Sequence, residues 1–336
     1  MNYAEILKNA RENMNGNCKA CRICNGEACR GVMPGPGGKA TGDGFTRAYQ
    51  KLQEIKVHMD TLYEEGPIDT GAELFGRTFK YPFFAAPIAG VGVQYGPKYS
   101  AEVYTKGLVR ACAADGIGAF IYDDPNVLPA MTEEDKAGGC FIPTVKPWPV
   151  DYMLERFKLA EEMGAMAVAT DIDGAGLALV QGKGRPVGPK SVEQIRTLVK
   201  SVNIPVLVKG IMTVQGARKA AAAGVYGLVV STHGGRVQDQ TPAPIEMLPE
   251  IAEAVGGQVK IFMDGGVRSG VDVFKCLALG ADAVLIGRPY PVMFYGAEEE
   301  GVHFFNRKVG GEFREAMMMT ASKTRADINP SKLFFD

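Results

Sequence analysis

The chain has 336 residues, of which 46% are hydrophobic, and its 37 basic and 38 acidic side chains leave a formal net charge of −1. The length suffices for one α/β barrel or two smaller domains, and the balanced charge excludes the basic surface typical of nucleic-acid or anionic-membrane binding. No run approaches about 18 apolar residues and no basic segment precedes an apolar core at the start, so we expect no membrane span, no signal peptide and a cytoplasmic protein.

The N-terminal region divides into a helix, a cysteine-rich segment and a loop. Apolar residues recur on one face of residues 2–14, which predicts an amphipathic helix. Residues 31–46 are rich in Gly and Pro and predict a long loop, whereas residues 47–63 are helix-like.

Four cysteines lie close together in a C-x2-C-x2-C-x4-C pattern formed by Cys18, Cys21, Cys24 and Cys29. This spacing lets thiolates converge on one zinc ion or one iron–sulfur cluster, and it does not decide between the two. The alternative is a loop of free thiols with one or two redox-active members, because a disulfide framework is disfavoured in a reducing cytoplasm. The other three cysteines lie in apolar or loop patterns and are interpreted as packing residues: Cys112, Cys140 and Cys276.

From residue 83 onward, short apolar runs alternate with segments of helical periodicity. The apolar runs are 83–90, 118–122, 141–146, 167–173, 205–209, 227–231, 260–264 and 283–287. The helical segments include 101–114, 151–163, 191–201, 214–223, 245–255 and 270–279. Eight buried strands alternating with helices predict an α/β fold, a closed (β/α)8 TIM barrel, over an open doubly wound sheet. We therefore expect a barrel over residues 79–336, with residues 1–78 as an N-terminal extension packed on it.

Polar and ionisable residues collect where the predicted strands end, and (β/α)8 barrels carry their chemistry at that face. These strand-end residues are Tyr122, Lys146, Asp171, Asp173, Lys209, His233, Arg236, Asp264, Gly287 and Arg288. The loops after the last two strands are rich in glycine and arginine and predict a phosphate cradle, because backbone N–H groups at a helix start bind anions. Each glycine cluster alone would be interpreted as a turn.

Individual side chains at these strand ends indicate different roles. His233 can take a proton near neutral pH, and Asp173 can orient its imidazole. Arg236 carries the planar guanidinium that clamps a carboxylate or phosphate with two parallel hydrogen bonds. Lys209 can hold an electron-rich ring or a developing anion, or can form an ion pair with a neighbouring carboxylate such as Asp171.

Four stretches together resemble one known family. They are Lys209-Gly-Ile, Ser231-Thr-His-Gly-Gly-Arg236, Asp264-Gly-Gly-Val-Arg268 and Leu277-Ala-Leu-Gly-Ala-Asp-Ala-Val-Leu-Ile-Gly-Arg-Pro289. They look like the FMN-dependent α-hydroxy-acid oxidases and dehydrogenases, which include lactate oxidase and glycolate oxidase. The likeness is close over about residues 204–290 and looser over 80–175. It implies FMN as cofactor, a lactate-like 2-hydroxy acid as substrate and the 2-keto acid as product.

The resemblance also implies residue roles. His233 resembles the base that accepts the substrate proton, Arg236 the clamp on the substrate carboxylate, and Asp173 the partner of the histidine. Lys209 is similar to the lysine beside the flavin ring, and it joins His233 and Arg236 in contacting the cofactor. The other implied cofactor contacts are Ala86, Pro87, Ile88, Ala89, Asp171, Ser231, Asp264, Gly265, Gly266, Arg268, Gly287 and Arg288.

The substrate half of the site departs from the family pattern. A second carboxylate-binding arginine usually follows the fourth-strand aspartate, but this chain has none before Arg185. The third strand usually carries Gln-Leu-Tyr, but here it ends in Lys146, and the family's N-terminal tyrosine has no clear counterpart. Tyr122, Lys146 and Trp148 are placed to replace the lost contacts, or they pack at the barrel rim.

Two alternatives stay open. One is an FMN-dependent isomerase resembling the type 2 isopentenyl-diphosphate isomerases, against which His233 argues because oxidation of a hydroxy acid needs a base there. The other is a flavin-binding redox sensor whose cysteines respond to oxidants. An iron–sulfur cluster at the cysteines would let electrons leave to a protein acceptor, and the family resemblance implies a homo-oligomer, typically a tetramer.

Overall fold

The computed structural model describes residues 1–177 and 185–335, and a closed barrel of eight parallel strands lies at its centre. The strands in chain order are β1 (Lys56–Val57), β2 (Ala72–Leu74), β3 (Arg77–Phe79), β4 (Phe83–Ala85), β5 (Ala119–Tyr122), β6 (Phe141–Val145), β7 (Val168–Asp171), β8 (Val206–Ile211), β9 (Gly227–Val230), β10 (Lys260–Asp264), β11 (Ala283–Ile286) and β12 (Leu333–Phe334). Strands β4 to β11 pair in chain order and β11 pairs back to β4. The (β/α)8 barrel is confirmed, and each predicted run overlaps one barrel strand.

The helices are α1 (Tyr3–Asn13), α2 (Asp43–Glu54), α3 (Val91–Gln94), α4 (Ala101–Ala114), α5 (Glu133–Lys136), α6 (Val150–Glu162), α7 (Val192–Lys200), α8 (Val214–Ala222), α9 (Pro244–Val255), α10 (Gly270–Ala278) and α11 (Pro289–Met319). Helix α1 and the six helices predicted between strands are confirmed to within two residues at each end. Serine or threonine side chains cap the starts of α4, α7, α8 and α10, which satisfies backbone N–H groups that the helices leave unpaired.

The predicted boundary between the glycine-rich loop and the next helix was wrong. Helix α2 begins at Asp43, inside the predicted loop 31–46, because Gly42 takes a left-handed conformation and ends the loop early. The helix also stops at Glu54 instead of continuing to residue 63. The chain becomes extended there because β1 pairs with β12, a contact with the far end of the sequence.

The long helix α11 was not predicted from the sequence. It packs against α1, α4 and α10, so its buried side chains lie on several sides and give no single apolar face. Ala297 and Glu298 have non-helical backbone angles and break it into two parts. Neither this helix nor any other in the described ranges combines the length and apolar character needed to cross a membrane.

Aromatic side chains close the amino-terminal end of the barrel. Phe84, Phe120 and Phe262 meet edge to face inside it, at centroid distances of 6.0 to 6.3 Å. Phe75, in the turn of the β2–β3 hairpin, stacks on Phe262 at 5.9 Å from below. The filled interior and this hairpin leave the carboxyl ends of the strands as the open face of the barrel.

One irregularity in the sheet lies next to that open face. Lys209 pairs with Val229 and Ile211 pairs with Val230, so Gly210 is an extra residue in β8. Its φ of +99° suits glycine, and a Cβ there would come within 2.5 Å of the Asp173 carboxyl carbon. The bulge thereby brings the end of β8 against the residues that follow β7.

Candidate active site at the carboxyl ends of the strands

A cleft of about 630 Å³ opens where the barrel strands end. The residues predicted to bind cofactor or substrate all line it except Ser231. Asp173 is not part of the lining either, but it contacts the ring of His233, which is. A volume of this size falls in the range of cofactor and substrate pockets. Trp148, the other residue considered for substrate contact, packs partly buried against the hydrophobic core.

His233 lies between two carboxylates and an ammonium. Its Nδ1 is 2.9 Å from Oδ1 of Asp173 and 3.6 Å from Oδ2 of Asp171, and its Nε2 is 3.5 Å from Nζ of Lys146. A hydrogen bond to a carboxylate requires a proton on Nδ1, which leaves the Nε2 lone pair facing the cleft. Burial and then the charge of Lys146 lower the pKa of His233 well below its usual value, although Asp171 opposes this. The imidazole is therefore neutral at neutral pH.

The lysine partners differ from the sequence expectation. Asp171 pairs with Lys146, at 2.5 Å, whereas Lys209 pairs with Asp264 at 3.0 Å and donates to Ser231 Oγ at 2.6 Å. The expected ion pair of Lys209 with a strand-end aspartate is thus confirmed, but its partner is Asp264 and not Asp171, because Lys146 after β6 supplies a closer cation to Asp171. Burial acts against the charge of Lys209, but nearby carboxylates, Asp264 first, raise the pKa of Lys209 above its usual value. The Ser231 hydroxyl also accepts from the His233 backbone N–H at 3.0 Å.

Two arginines of the site bind the glycine-rich loop of the N-terminal extension. Arg236 Nη1 donates to the carbonyls of Gly35 and Gly37 at 2.7 and 2.9 Å, and Arg288 Nε donates to the carbonyl of Pro36 at 2.7 Å. Burial and the neighbouring Arg288 lower the pKa of Arg236 to about 10. Two partly buried guanidiniums side by side favour an anion in the cleft. The sequence did not predict this loop as part of the site, because loop composition carries no information about where a long loop folds back.

Several buried polar atoms, on residues that line the cleft or lie within two positions of such a residue, have no hydrogen-bond partner within the described ranges. They are Thr144 Oγ1, Thr170 Oγ1, Asp171 Oδ1, Asp173 Oδ2 and Asp264 Oδ1. Unpaired buried acceptors and hydroxyls cost stability unless a ligand or water satisfies them. A flavin ring and its ribityl chain carry N–H, carbonyl and hydroxyl groups that suit such partners, so the residues present fit FMN.

The loop after β10 contains two glycines, which let its backbone N–H groups approach a phosphate without a side chain in the way. Gly265 and Gly266 have φ values of +102° and +82° and line the cleft beside Arg268. A Cβ on Gly266 would lie 2.1 Å from the carbonyl oxygen of Ala48 in α2, so α2 packs against this loop with no space for a side chain. The start of α10 follows directly, and helix starts attract anions.

The four N-terminal cysteines lie outside this cleft, and all four are partly buried free thiols. No three of their sulfurs lie within 4.8 Å of one another. Within the described ranges, the group of potential metal ligands that does meet this distance is Asp171, Asp173 and His233. Lys146 and Lys209 neutralise that group, which disfavours a cation. Of the other cysteines, Cys112 and Cys276 are buried, as expected for packing residues.

The fold and this cleft together define a class: a flavin-binding (β/α)8 barrel with an imidazole and paired guanidiniums facing the cofactor site. A family profile described as FMN-dependent dehydrogenase matches residues 36–178 and 181–334. The chain belongs to the FMN-dependent dehydrogenase family.

Individual relatives agree with this family. L-lactate oxidase of Lactobacillus jensenii is 43% identical over 159 residues, which are 46% of this chain and 38% of the oxidase. The 4-hydroxymandelate oxidase of Amycolatopsis orientalis is 29% identical over 326 residues, covering 86% of this chain and 91% of that enzyme. A mandelate oxidase variant solved with a C4a-OH-FMN adduct superposes with a TM-score of 0.79 at 27% identity and covers 98% of both chains. These relatives are hydroxy-acid oxidases, so the isomerase alternative is not favoured.

Proposed function

We propose that this protein uses FMN to oxidise a small, lactate-like 2-hydroxy acid to the 2-keto acid. The observation that carries the proposal is the neutral imidazole of His233, whose Nε2 faces a cleft that also holds the guanidiniums of Arg236 and Arg288. A base beside anion-binding groups is what removal of the hydroxyl proton from a carboxylate-bearing substrate requires.

The strand ends supply the groups that would hold FMN. The backbone of residues 86–89 after β4 would pack on the ring, Lys209 would stabilise negative charge on it, and Gly265, Gly266 and Arg268 would bind the phosphate. When bound, FMN accepts the hydride equivalent that leaves the α-carbon of the substrate. Asp264 keeps Lys209 charged in a buried position.

His233 accepts the hydroxyl proton at Nε2. Asp173 holds the ring orientation through Nδ1 and stabilises the imidazolium once the proton arrives. Asp171 lies 3.6 Å from the same nitrogen and adds negative charge. His233 lies three residues after β9, has a positive φ of +55° and lines the cleft.

Arg236 binds the substrate carboxylate, and Lys146 supplies a second cation, 3.5 Å from Nε2 of His233. A guanidinium has five N–H donors, so the contacts of Arg236 with Gly35 and Gly37 leave donors for a carboxylate. Lys146 directly follows β6, the strand on which the family resemblance leads us to expect a tyrosine. Tyr122, 5.9 Å from Lys146 Nζ at its ring centroid, completes that wall.

The reaction is tested by mixing anaerobic, FMN-loaded protein with a panel of 2-hydroxy acids and following the visible flavin absorbance. We expect at least one acid to bleach the flavin. His233→Ala should bleach about 100- to 10,000-fold more slowly, the usual contribution of a general base. His303→Ala is the matched control, because His303 also bonds a carboxylate, Asp115, at 2.9 Å, but lies outside the cleft.

Two outcomes would overturn the proposal. One is an unbleached flavin with every acid in the panel, at full FMN content. The other is equal bleaching by wild type and His233→Ala. Homo-oligomer formation stays a prediction from the family resemblance, as does a protein electron acceptor in place of oxygen.

A further inference from the structure

A second cavity, of about 320 Å³, lies beside the active-site cleft, and all four N-terminal cysteines line it. The cysteine segment is fixed against the barrel at several points. Arg268 Nε donates to the Cys24 carbonyl at 2.7 Å, and Arg11 of α1 donates to the carbonyls of Lys19 and Ala20, both at 3.1 Å. The thiols therefore surround a defined space in the folded protein.

The space of about 320 Å³ is larger than a single metal ion fills. A water molecule takes about 30 Å³ in the liquid. The volume of the cavity is therefore roughly ten times that of one water molecule. A polynuclear cluster bridged by sulfide fills more of such a volume than zinc does.

The spacing of the cysteine sulfurs also favours a cluster over a single zinc ion. In a tetrahedral zinc site with Zn–S bonds of about 2.3 Å, the sulfurs stand roughly 3.8 Å apart. Here no three of the four sulfurs lie within 4.8 Å of one another. In a cubane cluster each thiolate binds a different iron, which suits the wider arrangement.

Charge favours an anionic occupant. Among the described residues that line the cavity, five are cationic and one, Asp272, is a carboxylate. The cations are Lys19, Arg22, Arg268, Arg288 and Lys308. An oxidised [4Fe–4S] cluster with four thiolate ligands carries two negative charges. Lys19 and Arg22, which line this cavity but not the active-site cleft, can balance them, whereas Lys308 already pairs with Glu312 at 2.6 Å.

We propose that Cys18, Cys21, Cys24 and Cys29 bind a [4Fe–4S] cluster in this cavity. Each thiol gives up its proton and binds one iron, and the first three cysteines have the C-x2-C-x2-C spacing of bacterial ferredoxin ligands. The proposal concerns a second cofactor and does not depend on which acid the active site oxidises.

The position of the cavity gives the cluster a route to the flavin site. Tyr95, Arg268 and Arg288 line both the cysteine cavity and the active-site cleft, so one layer of side chains separates them. The cysteine segment also reaches the protein surface, because Ile23, which lies between Cys21 and Cys24 in the sequence, is 56% exposed. The cluster would thus lie between the buried cleft and the protein surface.

The test uses the full chain purified without oxygen. We expect about four irons and four acid-labile sulfides per chain, and an electron paramagnetic resonance signal of a reduced [4Fe–4S] cluster after dithionite treatment. Protein that has lost the cluster is first treated anaerobically with ferrous iron and sulfide. Zinc in place of iron, or no iron–sulfur cluster after this treatment, would overturn the proposal.

Serine variants identify the ligands. Cys24→Ser and Cys29→Ser should each lose most of the iron, whereas Cys140→Ser should retain it, because Cys140 lies outside the cavity. FMN content and circular dichroism of the same samples report folding. Iron kept by both ligand variants, or lost equally by Cys140→Ser, contradicts the assignment. Flavin bleaching by hydroxy acids, measured in parallel, keeps this result separate from the proposed function.

Discussion

The imidazole of His233 owes its state of charge to its neighbours. Asp173 and Asp171 lie on its Nδ1 side, Lys146 lies 3.5 Å from its Nε2, and the ring is mostly buried. Burial and Lys146 both disfavour the imidazolium, so the ring stays neutral and able to accept a proton at pH values below those of an exposed histidine. A base of this kind loses activity only when the pH falls through its lowered pKa.

Removing the charge of Lys146 should therefore move the acidic limb of the pH–rate profile. In Lys146→Met the opposing cation is gone and Asp171 loses its partner, so both changes raise the pKa of His233. We expect the acidic limb of kcat/KM to move up by about 1 to 3 pH units, the usual effect of one charge at this distance. Steady-state kinetics from acidic to neutral pH measures it.

Lys146→Arg is the control for this prediction because it keeps the positive charge. Its acidic limb should stay close to that of the wild type even if its rate falls. A limb that moves equally in both variants would mean that the geometry of the side chain, and not its charge, sets the pKa of His233.

At the scale of elements, the contact between α2 and the loop after β10 sets the shape of the phosphate end of the site. Gly266 has no space for a Cβ, since the Ala48 carbonyl would lie 2.1 Å from it. Helix α2 must approach this closely to bring Phe45 under the guanidinium of Arg288, at 3.6 Å. The N-terminal extension thus packs against Arg288 of the cleft, and its Pro34 lines the cleft directly.

Gly266→Ala should push α2 away from this loop. Gly257→Ala is the matched control, because its φ of +78° is close to the +82° of Gly266 but its Cβ would meet nothing within 4 Å. Both variants carry backbone strain, and only the first adds a clash. We expect Gly266→Ala to lose about 1–3 kcal/mol more free energy of unfolding than Gly257→Ala, measured by urea denaturation, and to retain less FMN. Equal losses would refute the close contact.

The sequence was sufficient for the barrel and for the positions of the chemical groups, but not for their pairing. The short apolar runs show where each strand ends, and this information is local in the sequence. They therefore predicted that Lys146, Asp171 and Lys209 lie together at the carboxyl-terminal face of the barrel. Which lysine meets which aspartate depends on the stagger of neighbouring strands and on the bulge at Gly210. The contacts of residues 35–37 with Arg236 and Arg288 join positions about 200 to 250 residues apart, and no local pattern encodes them.

At the scale of the whole molecule, the N-terminal helix α1 packs against α11, the long helix that follows the last barrel strand. Asn13 Nδ2 donates to the Tyr295 carbonyl at 2.6 Å, and Asn9 Nδ2 donates to the Gly296 carbonyl at 3.2 Å. A Cβ on Gly296 would lie 2.3 Å from the carbonyl oxygen of Ile6, so the two helices meet backbone to backbone. This contact holds the start of the cysteine segment.

Gly296→Ala should force α1 outward and destabilise the protein by about 1–3 kcal/mol. Gly311→Ala, in the same helix, is exposed and has nothing within 4 Å of the added Cβ, so it should be neutral or gain up to about 1 kcal/mol from helix propensity. Urea denaturation of both variants measures the difference. If Gly296→Ala is as stable as Gly311→Ala, α1 does not pack as closely as described.

The carbonyls that bind Arg236 and Arg288 belong to a segment with little regular structure, which starts at the cysteines and ends before α2. Such a segment opens locally at a lower free energy than a strand barrel does. Oxidation of the cysteines would therefore first displace the guanidiniums of Arg236 and Arg288, while the barrel stays folded. Oxidation of residues in the segment 18–37 can therefore abolish activity while the barrel remains folded.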